Sequence, residues 1–260
     1  MTLADYHLKK NISKNAIKLE YKGHRKLCYQ CLRPTKSCFC HSITPFQTDV
    51  DIRILMHPME SKEHVGTGRL ANICLSHSKI HVGIKFDQNI EIQQLLNDPN
   101  IECMVLYPGD QSHNISKRSL PQKDIINKRV IFVIDATWPH AKLMMRENKQ
   151  LHSLPRISFD PPGTSKFTIK HQPSKYCLCT IESLFHLIDG LNKQGHEELK
   201  NEHDELLVTL TKLVDYQIAC AKNPALSSYR AKGSYKSPEQ RTVSGKWQSR
   251  AICFDQKNYY

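Results

Sequence analysis

Four of the ten cysteines fall within thirteen residues, as Cys28-x2-Cys31 and Cys38-x-Cys40. Two close thiol pairs joined by a turn at Arg33-Pro34 can surround one tetrahedral ion, each pair approaching from its own short loop. Zinc is the natural candidate. His41 is an alternative to Cys40 as fourth ligand, and an iron–sulfur cluster would also accept four thiolates. A metal with every position filled by protein is structural, so the expected task is to hold a knuckle rigid. The second place where chemistry is expected is the apolar run Val130–Ile134 and the residues after it, Asp135-Ala136-Thr137-Trp138-Pro139. Such a run reads as a buried strand, while Thr137 and Pro139 suit the cap and first turn of a helix. Asp135 then stands at the carboxyl end of a strand, where parallel α/β sheets bind their ligands. The local pattern alone also accommodates Asp135 as a turn residue and Trp138 as core. A further pair, Cys177-x-Cys179, has nothing nearby to complete a metal site, and buried thiols are expected there.

The elements that would position these residues alternate in type. Short apolar runs at 52–56, 80–86, 103–107, 130–134 and 157–159 read as strands, and the stretches at 68–76, 90–97 and 138–150 read as helices. That alternation predicts a mainly parallel sheet covered on both faces. Two more helices are expected at 180–191 and 197–222. Glu197, Glu198 and Glu202 would lie in the first turns of the second, and Asn223-Pro224 would end it.

Charge is segregated along the chain. Residues 1–45 carry nine Lys/Arg against Asp5 and Glu20, or +7, and residues 221–260 carry eight against Glu239 and Asp255, or +6. The whole chain is +12, so residues 46–220 sum to 12 − 13 = −1. A near-neutral middle with cationic ends suits a polyanion such as nucleic acid, because each neutralised phosphate releases a counterion. The same ends would also serve solubility alone. No basic amphipathic helix with an aromatic face argues for a membrane surface. With neither a run of about 18 apolar residues nor an apolar N-terminal stretch, an intracellular, cytoplasmic protein is expected.

Asp135-Ala136-Thr137-Trp138-x-x-Ala141-x-x-Met144 resembles the signature of the DTW-domain family, the tRNA-uridine aminocarboxypropyltransferases. Other blocks follow in the family's order: Cys28-x2-Cys31-Leu-x-Pro34 with Cys38-x-Cys40-x-x-Ile43-Thr-Pro45, His57-Pro58, Thr67-Gly68-Arg69-Leu70, and Tyr107-Pro108-Gly109. Leu154-Pro155-Arg156, the stretch from Ser165 to Pro173, and Cys177-Leu178-Cys179-Thr180-Ile181-Glu182 complete the similarity, which spans about residues 25 to 190. Phe167 and Lys170 stand where members usually carry Tyr and Arg, so a phenol hydroxyl is lost and a bidentate contact becomes a point charge.

The resemblance implies a SPOUT-like knotted α/β fold with a mainly parallel sheet, helices on both faces and an N-terminal zinc knuckle. The implied division is a basic arm at 1–24, the knuckle at 25–46, a catalytic domain at 47–222 and a basic tail at 223–260. It implies S-adenosylmethionine as donor, held by Tyr107, Pro108, Gly109, Thr137, Trp138, Leu178, Thr180 and Glu182, with the 3-amino-3-carboxypropyl group passing to N3 of a tRNA uridine. Asp135, Thr137 and Trp138 would be catalytic, with Asp135 the proton acceptor. Arg25, Lys26, Arg33 and Lys36 around the knuckle, with Lys142, Arg146, Arg156 and Lys170, would meet tRNA. Neither a membrane nor an obligatory protein partner is implied.

Overall fold

The computed structural model describes residues 26–121, 128–170 and 176–223. The expected arm at 1–24, Arg25, Gln172-Pro173 and the tail after Asn223 lie outside them. The described residues divide into two compact units between Cys38 and Phe39.

In the second unit six strands form one sheet: β1 (Asp51–Met56), β2 (Lys79–Val82), β3 (Ile101–Leu106), β4 (His113–Asn114), β5 (Lys128–Asp135) and β6 (Arg156–Ser158). Their order across the sheet is β2-β1-β5-β3-β6-β4, and every pairing is parallel. The strand expected at 80–86 stops at Val82, and β4 is a two-residue strand that carries no period a sequence could display. β5 lies at the centre, hydrogen-bonded to β1 and β3 along its length. Its unbroken Val-Ile-Phe-Val-Ile run matches that place, since a central parallel strand is buried on both faces.

The helices are α1 (Thr67–Cys74), α2 (Ile90–Asn97), α3 (Trp138–Glu147), α4 (Lys149–Ser153), α5 (Thr180–Lys193) and α6 (Asp204–Lys222). On one face, Ile92 of α2, Met144 and Met145 of α3 and Leu151 of α4 pack with Val130 and Phe132 of β5. α1, α5 and α6 pack against one another. Alternation along β5 therefore matters: Ile134 and Ala136 lie against the α2–α4 core, whereas the Asp135 carboxylate meets Gly68 of α1 and Thr180 of α5.

Two expected helices are redrawn. The stretch 138–150 breaks at Asn148, which is 3% exposed. Its Oδ1 accepts from Phe86 N–H at 2.7 Å, and its Nδ2 donates to the carbonyls of Ile84 and Met144, both at 2.6 Å. A side chain that satisfies three backbone groups outcompetes one further helical bond. The helix expected from 197 begins only at Asp204. Glu197 is instead a buried tether whose carboxylate accepts from the N–H groups of Asp49 (2.7 Å) and Val50 (2.9 Å) at the entrance to β1. Asp204 and Glu205 supply the first-turn acids.

Candidate active site and basic groove

The carboxyl ends of β3, β5 and β6, the β4 turn and the segment leading into α5 enclose a cavity of about 510 Å³. Its walls come from four stretches separated in sequence: 106–118 in part, 133–141 in part, 158–161, and 176–183 in part. Tyr107 and Trp138 meet edge to face, with ring centroids 6.4 Å apart. Leu106, Val133, Ile134, Ala141 and Leu178 add apolar wall, while Asn114, Lys117, Arg118 and Asp160 line a polar part. There Asn114 Nδ2 donates to Asp160 Oδ1 at 2.8 Å. Flat aromatic walls with a few convergent polar groups fit a nucleoside-like ligand.

Asp135 lies beside this cavity, at the carboxyl end of β5. It is 4% exposed. Thr180, which lines the cavity, donates from Oγ1 to Asp135 Oδ1 at 2.5 Å. Oδ2 has no hydrogen-bond partner among the described residues. Burial pushes the Asp135 carboxyl up to about 6, against which the Thr180 hydroxyl acts. Gly68 explains how the carboxylate is walled in. A Cβ at that position would meet Asp135 Oδ2 at 2.3 Å and Cγ at 2.4 Å, so only glycine permits this approach.

The surrounding groups are held in turn. His57 N–H donates to the Asp135 carbonyl at 3.0 Å, and the His57 ring stacks on His140 at 3.9 Å. Lys170 lies 3.2 Å from Glu63 and 4.0 Å from Glu60, and burial raises the Glu60 carboxyl. Expected as a phosphate contact, Lys170 is thus in an ion-pair cluster near Asp135.

Other expected residues are placed as follows. Tyr107, Pro108, Gly109, Trp138, Leu178 and Thr180 line the cavity. Thr137 occupies the N-cap position of α3, but its hydroxyl makes no cap bond. Glu182 is 2% exposed. Its carboxylate accepts from Ser165 Oγ and Lys166 N–H, both at 2.6 Å, and from Cys179 N–H at 2.9 Å, so it fastens the loop before α5 instead of lining the cavity. Cys179 completes this as the N-cap of a capping box. Cys177 and Cys179 are buried, as their sequence context suggested. Ser112, Asn114, Lys117, Arg118, Ser158 and Asp160 also border the cavity. No motif marked them: Ser158 ends the short strand β6, and the others come from turns and from the two-residue strand β4.

A second concavity of about 420 Å³ is lined by Tyr107, Lys142, Met145, Arg146, Lys149, His152 and Arg156. Three of these basic residues were expected to meet nucleic acid. Lys149 and His152 come from α4, whose separation from α3 the sequence did not reveal. The Arg156 guanidinium carbon lies 5.6 Å from the centre of the Tyr107 ring.

At the knuckle the sulfurs of Cys28, Cys31, Cys38 and Cys40 lie within 4.8 Å of one another, a donor set that can hold a metal ion. Leu32 adopts a left-handed conformation (φ 56°), and the turn closes through Leu32 N–H to Cys28 O and Cys28 N–H to Arg33 O, both 2.8 Å. The Cys31 N–H is the main cause of a Cys28 thiol lowered to about 7. Lys26 and Lys36 are exposed. Arg33 is only 2% exposed, so its guanidinium is not presented for the phosphate contact expected of it.

Fold and site together define an α/β protein with a ligand cavity at the carboxyl edge of a parallel sheet. Residues 25–218 match the family model of the DTW domain, and the chain belongs to the DTW-domain family. It is 28% identical over 171 residues to tRNA-uridine aminocarboxypropyltransferase 2 of Drosophila melanogaster, covering 62% of this chain and 64% of that protein. To the protein of the same name from Mus musculus it is 26% identical over 170 residues, covering 63% and 56%. To tRNA-uridine aminocarboxypropyltransferase A of Arabidopsis thaliana it is 24% identical over 218 residues, covering 74% and 81%. The chain therefore spans less than two thirds of the length of the insect and mouse relatives. No solved structure matches it. No helix among the described residues is long and apolar enough to cross a membrane.

Proposed function

We propose that the chain transfers the 3-amino-3-carboxypropyl group of S-adenosylmethionine to N3 of a tRNA uridine, releasing methylthioadenosine, and does so in the cytoplasm. The observation that carries this reading is the coupling of the cavity to Asp135 through Thr180. Family membership and the names of the relatives support the reaction class. A SPOUT-like knotted path for the segments that line the cavity belongs to the same reading.

The residues present fit the donor: aromatic and apolar walls for the adenine, and Asn114, Lys117, Arg118 and Asp160 for a tail that bears both charges. When bound, S-adenosylmethionine supplies an alkyl carbon already activated by a sulfonium leaving group. The protein's task is then to orient the acceptor, exclude water and accept the N3 proton as the N3–C bond forms and the S–C bond breaks. Tyr107 and Trp138 offer ring faces and edges to a base that has left its stack, which exposure of the Watson–Crick edge demands. The Thr180 hydroxyl takes the N3 proton while passing its own to Asp135. A carboxylate with its pKa near 6 retains that proton better than an ordinary aspartate. Zinc suits the four thiols at the knuckle, where it would fix the loop that carries Lys26 and Lys36.

The test is incubation with unmodified tRNA and carboxyl-labelled S-adenosylmethionine, followed by nucleoside mass spectrometry. Label in an aminocarboxypropyluridine is expected. A methylated nucleoside with release of S-adenosylhomocysteine would reject the reading.

A further inference from the structure

The basic concavity shares a wall with the cavity. Tyr107 lines both. Its ring lies under the Arg156 guanidinium on one side and meets the Trp138 ring edge-on at the cavity. On α3, Trp138, Lys142 and Arg146 recur every fourth residue, so they lie on one face at intervals of about one helical turn, roughly 6 Å. Lys149 and His152 of α4 line the same concavity, as does Arg156, whose Nη2 lies 3.2 Å from His152 Nε2. Arg146 is largely exposed, at 73% of its side-chain surface. Glu147 lies 3.3 Å from Arg146 but is also paired with Lys85 at 3.1 Å.

We infer that this groove is a track for the ribose–phosphate backbone of the strand that carries the target nucleotide. Lys142, Arg146, Lys149 and Arg156 meet successive phosphates, and Tyr107 marks the point where one base leaves the strand for the cavity. The inference rests on the tRNA reading above and adds the strand's path and two groups, Lys149 and His152. Helical spacing sets Lys142 and Arg146 at a separation close to that of neighbouring phosphates on an extended single strand. An acidic protein segment, with carboxylates on side chains of variable reach, has no need of such a separation. The aromatic threshold between groove and cavity suits a base, because every base has a face to stack.

The experiment is equilibrium binding of the full chain to an unmodified tRNA transcript and to a short oligouridylate across a salt series, with no donor present. The variant R146A/K149A is compared with K193A/K200A, which removes the same two charges elsewhere. R146A/K149A should bind both RNAs about tenfold or more weakly and flatten the slope of log affinity against log salt by about 1.5, the value for two lost phosphate contacts. Its thermal midpoint and its affinity for S-adenosylmethionine should stay at the wild-type values. K193A/K200A should keep the wild-type slope. Unchanged RNA affinity and slope in R146A/K149A would overturn the track, as would an equal loss in the control pair. Weakened binding of a polyglutamate peptide with RNA binding intact would overturn it in favour of an acidic protein. Loss of RNA binding by R146A/K149A, in a wild-type chain that forms no aminocarboxypropyluridine, would uphold the track while rejecting the proposed reaction.

Discussion

Asp135→Asn separates the cost of burying a charge from the use made of it. Asp135 is held by Thr180 on one oxygen and walled by Gly68 at the other. Burial lifts its pKa from an ordinary 3.8 to about 6. A carboxyl whose pKa is higher in the folded state binds more protons there. Its contribution to stability is therefore present at low pH and is lost as pH rises towards and through the folded value. The shift of about 2 units corresponds to about 3 kcal/mol, most of it lost between about pH 4 and about pH 6. The asparagine variant has no such loss, although its amide sets unpaired donors beside Gly68 at a pH-independent cost of about 1–3 kcal/mol. The pH dependence of the difference is thus the diagnostic. Denaturant unfolding of both proteins from about pH 4 to about pH 7.5 should show the variant gaining about 2–3 kcal/mol on the wild type as pH rises. Glu197 titrates in both proteins and cancels. Transfer activity should rise with pH through about 6 in the wild type and be nearly absent in the variant. A pH-independent stability difference would refute the buried, destabilised carboxylate. Full activity in the variant would refute its role as proton acceptor.

Gly68→Ala sets a helix preference against a clash. Alanine normally favours a helix by about 1 kcal/mol, but a Cβ 2.3 Å from Asp135 Oδ2 forces the carboxylate to move. A net destabilisation of about 1–3 kcal/mol with strongly reduced kcat is expected, measured by thermal unfolding and tRNA turnover. Glu182→Ala leaves the N–H groups of Lys166 and Cys179 and the Ser165 hydroxyl without their acceptor. It should cost about 2–4 kcal/mol and weaken S-adenosylmethionine binding in calorimetry by loosening the loop before α5. Elemental analysis should find about one zinc per chain, and Cys31→Ser should lose it. Iron in its place, or no metal, would refute the zinc reading.

What the sequence determined by itself rests on short-range physics. Five apolar runs and the helices between them identified a parallel α/β sheet, because strand burial and helix periodicity are written in neighbouring residues. The paired spacing of Cys28, Cys31, Cys38 and Cys40 marked a donor set, which the fold gathers within 4.8 Å. The turn at Asp135–Trp138 was placed at the carboxyl end of a strand, and β5 ends there. Only the tertiary structure decided what those residues face. Strand alternation turns Asp135 towards α1 and α5, so its contact with Thr180 spans 45 residues of chain, and Gly68 is shaped by a carboxylate 67 positions away. The same holds for Asn148 and Glu197, read as helix residues but used as tethers for backbone groups of Phe86, Asp49 and Val50. It holds again for Lys149 and His152, which share one concavity with Lys142 and Arg156. A local pattern records which side chains want burial; which partner waits in the interior is settled by elements distant in sequence, and the chemistry of the cavity depends on those partners.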